Sequence, residues 1–357
     1  MGSAGTAGIK ASRPSIFVGG AEDTDLSQGL LRMTLRDDIQ GLCNAELRFG
    51  NWGPKSGGIG FLYFDRRKLD FGKEMQLKLG NDMLFEGRVS AIEAEFGEGR
   101  APEIAVLLED RLQDLRMTRR TRAFSDVSDA DVMRQLASDH GLSPTIDVSG
   151  PTHKVLAQVN QSDLAFLRDR ARAAGAELWI EGRGLYAKTR SARSGSPLKL
   201  KFGADLREFI VIADLAHQRT SVNVAGWDVS GKRAIDQKAE DAAISGELGS
   251  DTSGATILRD AFAERKETVA HTVPLSSDEA KLQAEAWFRA GARRFVTGRG
   301  IAQPDAKLRV GASVDLDGLG PLFNGKYYVA EVRHVFDGAA GFLSQFTAER
   351  PGLGAAS

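Results

Sequence analysis

The runs Leu31-Arg32-Met33-Thr34-Leu35 and Ala45-Glu46-Leu47-Arg48-Phe49 decide how this chain folds. Apolar and polar residues alternate in both, and a period of two gives a strand with one buried face and one wet face. The same alternation returns at Met75, Leu77 and Leu79. Breakers separate the runs: residues 51–60 hold four glycines and a proline, and Gly80-Asn81-Asp82 joins two strand-like stretches as a hairpin. Residues 15–122 are therefore expected to form a first antiparallel β-barrel, because closure removes unpaired strand edges.

Beyond this region the period changes. Ser128 with Asp131 caps a helix that presents Val132 and Leu136 and stops at Gly141. A second helix opens at Ser162, carries Leu164, Phe166, Leu167 and Ala171, and ends at Gly175. Two strands then flank the turn Glu181-Gly182-Arg183-Gly184, so residues 123–190 read as a small α/β module. After a Ser, Gly and Pro-bearing connector, strand signals resume at 198–202, 209–212 and 221–227, and again from Phe295 onward. The second barrel is accordingly placed at 191–236 and 295–350. Between them, 237–294 is expected to be an insertion. It comprises an exposed polar loop over 237–254 and a helix opened by the capping box Ser276 and Glu279 and running to Ala292. Residues 1–14 and 351–357 read as flexible tails. The fold class is mainly β with α+β insertions, and no exact repeat is visible.

With 357 residues and 42% hydrophobic content, the chain can build two or three packed domains. Its 47 basic and 48 acidic side chains leave no excess to hold nucleic acid or an anionic membrane, so proteins are the expected partners. A single cysteine, Cys43, allows neither an internal disulfide nor a cysteine metal cage and suits a reducing cytoplasm. No run reaches the ~18 apolar residues of a membrane span, and no secretion signal opens the chain.

A search for reactive groups assigns no catalytic, cofactor-binding or metal residue. Asp315 with Asp317 and Asp129 with Asp131 are spaced two apart, which suits a solvated strand face and helix-start charge. His140, His153, His217, His271 and His334 show no helical metal spacing. The glycines at 57–58 and 298–300 lack a phosphate-loop ending, and the arginines 116, 119, 120 and 122 are interleaved with polar residues as on a solvated or interface face. Trp52, Trp179, Trp227 and Trp287 are scattered and are expected to serve cores.

Three stretches resemble one family. Asn160 to Leu167, continuing to Gly175 and the strand Glu177-Leu178-Trp179-Ile180, is similar to the middle of phage late control protein D and of the hub half of VgrG spike proteins. Val310-Gly311 through Val314 and Gly318, with Asn324-Gly325-Lys326-Tyr327-Tyr328-Val329, Val332, His334 and Phe336, resembles that family's closing barrel. Phe49-Gly50-Asn51, Phe71-Gly72, Phe85 to Val89 and Asp110 match its first barrel. The resemblance implies two tail-hub barrels per chain and a non-enzymatic homotrimer joining a sixfold tail tube to a threefold spike. Implied partners are a separate OB-fold and β-helix spike protein, tail tube or tube-initiator proteins and baseplate wedge proteins, with no cofactor, no nucleic acid and no membrane in the resting state. The implied location is the bacterial cytoplasm during assembly and then the phage tail or injection particle. Two other classes remain open: a hub with peptidoglycan-lytic activity, and a carbohydrate-binding β-barrel adhesin, which would cluster exposed aromatic rings on one face.

Overall fold

The computed structural model describes residues 13–354 apart from 40, 56, 194, 230, 273 and 340, so most of the expected tails 1–14 and 351–357 lies outside the described residues. The chain is mainly β, as expected, and its largest sheet has 13 strands. The first half contributes Ser15–Val18, Ala21–Glu22, Leu30–Asp38, Asn44–Gly50, Glu74–Leu79, Asp82–Glu95 and Glu103–Glu109; the second contributes Leu198–Lys201, Leu206–Ala213, Val296–Ala302, Ser313–Asp317, Gly325–Asp337 and Gly341–Arg350.

Setting aside the two-residue Ala21–Glu22, each half has six strands, and in both the pairing order is first, fourth, fifth, sixth, third, second. Each half wraps its own core: Leu47, Phe49, Met75, Leu77 and Val106 in the first, Leu206, Val296, Val314, Tyr327 and Phe346 in the second. In the second half the first and second strands meet at a bridge between Phe202 and Leu206. The halves are not separate, as two independent barrels would be. Leu30–Asp38 pairs antiparallel with Gly325–Asp337, from Asp38 opposite Glu331 to Arg32 opposite Asp337. Phe336 and Phe342 cross this seam into the first core.

Leu31, counted on the buried face by alternation, is 40% exposed. A β-bulge between Leu30 and Arg32 shifts the phase by one residue, and Leu30 takes the inward place. The hairpin at Gly80 forms as expected, with Leu79 opposite Asp82 and Gly80 at a φ of 61°.

The α/β module has a core that already begins at Leu112 and Leu115. It consists of two strand–helix–strand passes: Arg119–Ser128, Asp129–Asp139 and Ser143–Asp147, then Thr152–Ser162, Asp163–Ala173 and Ala176–Glu181. Each helix opens on a serine cap followed by aspartate, Ser128-Asp129 and Ser162-Asp163, and each is followed by a glycine at a φ of 66°, Gly141 and Gly175. Asp129 lies in the first turn of its helix as expected, but it is 2% exposed and accepts from Arg170 at 3.1 Å with His153 at 3.4 Å. Asp163, equally buried, accepts from Arg122 at 2.7 Å and Gln158 at 2.8 Å and lies 2.8 Å from His140.

The insertion is larger than the sequence suggests. Ser221–Asp228, assigned above to the second barrel, forms a separate three-stranded sheet with Arg233–Ala239 and Lys266–Val269. The helix Ser277–Ala292 packs Phe288 onto this sheet in a core with Val222, Val224 and Ile235. The polar stretch 237–254 is no exposed loop, because Ile244 is wholly buried and Asp241 accepts from the hydroxyls of Ser253 and Thr256. Of the expected C-terminal tail, Gly352–Leu353 pairs with Thr252–Ser253.

A buried ionic cluster fixes the module to the second half. Arg190 donates to Glu177 at 2.8 Å and to Glu349 at 2.6 Å, and Arg193 donates to Glu177 at 2.9 Å. Tyr328 donates to the same Glu177 carboxylate.

Asn324-Gly325 does not form a two-residue hairpin turn. Leu316 pairs with Gly325 across a longer loop, in which Asn324 accepts from the Leu319 N–H at 2.6 Å. Gly325 starts its strand at a φ of 127°, a conformation that only glycine adopts cheaply. Gly325→Val should cost on the order of 1–3 kcal/mol and lower the melting temperature by several degrees. An unchanged thermal melt would show that the strand start tolerates a side chain.

Candidate functional site

The first half, the module and the second half meet around a cleft of about 270 Å³, lined among others by Leu35, Asp37, Cys43, Asp110, Trp179, Arg193, Arg309 and His334. The chain enters it through Gly41, at a φ of 80°, where a Cβ would lie 2.0 Å from the Leu178 carbonyl oxygen. Any side chain there would push the loop off the module strand Ala176–Glu181.

Backbone amides hold Asp110 in place. Its carboxylate accepts from the Cys43 N–H at 2.8 Å and the Leu112 N–H at 2.9 Å. Burial nonetheless outweighs these bonds and pushes its pKa up to about 7. Burial likewise raises Asp37 to about 6, against the pull of Arg193. The Cys43 thiol is pushed up by burial and by the carboxylates of Asp37, Asp110 and Asp38, so it stays protonated. His334 is lowered by burial to about 4, and its Nδ1 lies 2.8 Å from the Ser344 hydroxyl. An uncharged thiol and a neutral imidazole already engaged by a hydroxyl, lining one cleft, are not an activated nucleophile–base pair. The arrangement suits a junction whose polar groups set the geometry of three packed parts.

Of the residues singled out in the sequence, Cys43, Trp179 and His334 line this cleft, and Asp37 and Arg309 were not singled out because each looks like an ordinary strand-end charge. The other candidates stay apart. Asp315 and Asp317 sit opposite Lys199 and Lys201 across a strand pair. His140 and His153 belong to the Asp163 and Asp129 clusters, His271 packs against the Trp287 ring at 5.7 Å, and His217 lies in the loop after Ala213. Among the described residues no group of three or more His, Cys, Asp or Glu is placed to hold a metal ion. Of the arginine run, Arg116 pairs with Glu109, Arg119 donates to the Asn160 carbonyl, and Arg120 and Arg122 reach Asp163.

The tryptophans depart from expectation. Trp52, Trp227 and Trp287 are 47%, 51% and 44% exposed rather than buried in cores. Trp52 joins a surface cluster with Phe61, Phe64 and Phe96, in which Phe61 and Phe64 stack at 4.8 Å and Trp52 meets Phe61 edge-on at 5.0 Å. Among the described residues no helix is long and apolar enough to cross a membrane.

The cleft makes stability depend on pH in a stated direction. A carboxyl with a raised folded pKa keeps its proton after the unfolded chain has released it at about pH 4, so the fold loses stability as pH rises through the folded value. For Asp37 that window runs from about pH 4 to about 6. His334, depressed to about 4, acts in the opposite direction up to about pH 6.5. Asp37→Asn can still accept a hydrogen bond but no longer ionises. Relative to the parent, it should gain on the order of 1–3 kcal/mol between about pH 4.5 and about pH 7. Urea unfolding at those two pH values measures this difference; parallel changes in parent and variant would show that Asp37 titrates normally.

Comparison with known proteins agrees with this architecture. The family model described as the Alg8 N-terminal domain matches residues 32–337. No curated protein matches the chain. Among solved structures, the 43 kDa tail protein of prophage MuSo2 from Shewanella oneidensis is 12% identical with a TM-score of 0.70, over 95% of this chain and 98% of that one. The tail protein from Neisseria meningitidis MC58 is 13% identical with a TM-score of 0.67, over 95% of this chain and 96% of that one. The E. coli c3393 protein, described as a type VI secretion component similar in structure to the T4 tail proteins gp27 and gp5, is 11% identical with a TM-score of 0.60, over 96% and 79%. The chain thus has the fold of these tail proteins, and it belongs to the Alg8 N-terminal domain family.

Proposed function

We propose that this chain is a structural baseplate hub of a phage tail or phage-like contractile injection system, acting as a homotrimer between a sixfold tail tube and a threefold spike. The observation that carries this reading is the duplicated strand order: each chain supplies two six-stranded units of the same pairing order, so three chains supply six. The likeness in fold to tail proteins over 95% of the chain supports it. Function then lies in shape and in distinct docking faces, and no bond is made or broken. The partners would be a separate OB-fold and β-helix spike, tube or tube-initiator proteins and baseplate wedge proteins. Assembly would take place in the bacterial cytoplasm before incorporation into the particle.

The surface aromatic cluster is the feature a carbohydrate-binding adhesin would need. Here Phe61 and Phe64 cover each other's faces by stacking instead of presenting them side by side to a sugar ring. Co-expression with the tube and spike proteins of the same gene cluster, followed by mass photometry, tests the hub reading. Three copies per spike trimer are expected. A chain that ignores both partners yet binds a glycan array would replace the hub with the adhesin.

A further inference from the structure

The two halves repeat one another down to their irregularities. The second strand is bulged between Leu30 and Arg32 in the first half and between Leu206 and Glu208 in the second. The fifth is bulged between Val89 and Ala91, and again between Val329 and Glu331. The halves part company between the third and fourth strands. There the second half runs through residues 303–312, which hold no aromatic side chain, whereas the first runs through 51–73 and adds the hairpin Trp52–Lys55 with Gly58–Phe61. The second half folds without such a hairpin, so the side chains it displays are not required by the repeated unit.

Trp52 stands opposite Phe61 and Pro54 opposite Ile59, and alternation puts all four on one face of the hairpin. All four are exposed, Ile59 by 72%. Phe64 and Phe96 extend this face, with ring centroids 4.8 and 6.3 Å from that of Phe61. Trp52 and Phe96 both stand nearly perpendicular to Phe61, at 78° and 84°, which leaves notches between rings rather than a flat platform. Each ring is held by its neighbours, so docking here costs little side-chain entropy. Lys55 ties the hairpin down, donating to the Phe61 carbonyl at 3.1 Å and pairing with Asp65 at 3.5 Å. The indole N–H of Trp52 has no acceptor among the described residues.

The flank beside Phe96 is acidic. Arg48 lies between 2.8 and 3.8 Å from Glu46, Glu93, Glu95 and Glu103, so one guanidinium serves four carboxylates. Arg100 also turns to Glu95, and Glu98, two residues past Phe96, has no ion pair among the described residues. A proline-rich segment in the polyproline II form is rigid before it binds, seats its pyrrolidine rings between aromatic side chains and offers carbonyls to an indole N–H. A basic residue after the prolines would meet the acidic flank.

We propose that the aromatic face of the first half is a docking site for an extended proline-rich segment of a partner protein, with a basic residue placed at Glu98. Such docking depends on neither the hub role nor the number of copies.

The test titrates the full chain, by isothermal calorimetry, with a decaproline peptide ending in two arginines. A decaproline ending in two glutamates and a glycine–serine decamer ending in two arginines are the comparisons. The proline–arginine peptide should bind about tenfold tighter than either. Phe96→Ser removes a notch wall and Trp52→Phe removes the indole N–H, and each should weaken this binding about tenfold with the melting temperature unchanged. Glu98→Lys should reverse the preference between arginine and glutamate ends. It is a surface change and decides the matter if Phe96→Ser melts early. No binding of the proline–arginine peptide, equal binding of the glycine–serine peptide, or an affinity unchanged in all three variants overturns the proposal. Binding to phosphatidylglycerol vesicles or to a glycan array in place of the peptide does the same.

Discussion

The ladder between Arg32–Asp38 and Glu331–Asp337 is the constraint on which the rest of the molecule depends. It merges two sheets into one path and carries Phe336 and Phe342 into a core otherwise built from residues 16–108. It also brings two sides of the cleft together, because Asp37 and His334 come from the two strands of the seam. The Arg190 cluster supplies the second tie. Glu177 and Glu349 against Arg190 and Arg193 balance charge for charge in a dry site, so the cluster specifies orientation more than it adds stability. Losing one member would leave a buried charge unpaired, at a cost of about 3–5 kcal/mol.

Local signals carried much of this architecture. The alternation over 31–35 and 45–49 located adjacent strands, and Ser128, Ser162 and Ser276 start helices through side-chain caps to Asp131, Ala165 and Glu279. Phase was not legible where a bulge intervened, as at Leu31. Membership was not legible either: Ser221–Asp228 alternates as a barrel strand would, yet it belongs to the insertion, since pairing partners are chosen by tertiary contacts. The cleft was invisible because Asp37, Asp110 and His334 are far apart in the chain and no spacing between them marks a shared site.

The duplication was hidden for a physical reason. Equivalent inward positions exchange volume between neighbours. Leu47 opposite Val106 in the first half corresponds to Gly300 opposite Phe346 in the second. A Cβ on Gly300 would lie 2.5 Å from the Phe346 ring, so the large residue on one strand requires the small one on the other. Total filling is kept while identity at each position is lost. The module repeats the lesson with Asp129 and Asp163, matched in placement but partnered by different basic residues.

The position of the seam strand in the chain also governs when the first half can finish folding. Residues 15–109 hold most of its strands, but the covering strand lies at Gly325–Asp337. At ~5–20 residues per second, a ribosome needs roughly 10–45 s to travel from one to the other. During that interval the edge of Leu30–Asp38 stands open on the nascent chain and the core lacks two of its phenylalanines. The earlier-synthesised half is therefore completed only after residues 325–337 have emerged, and its folding waits on that of the second half.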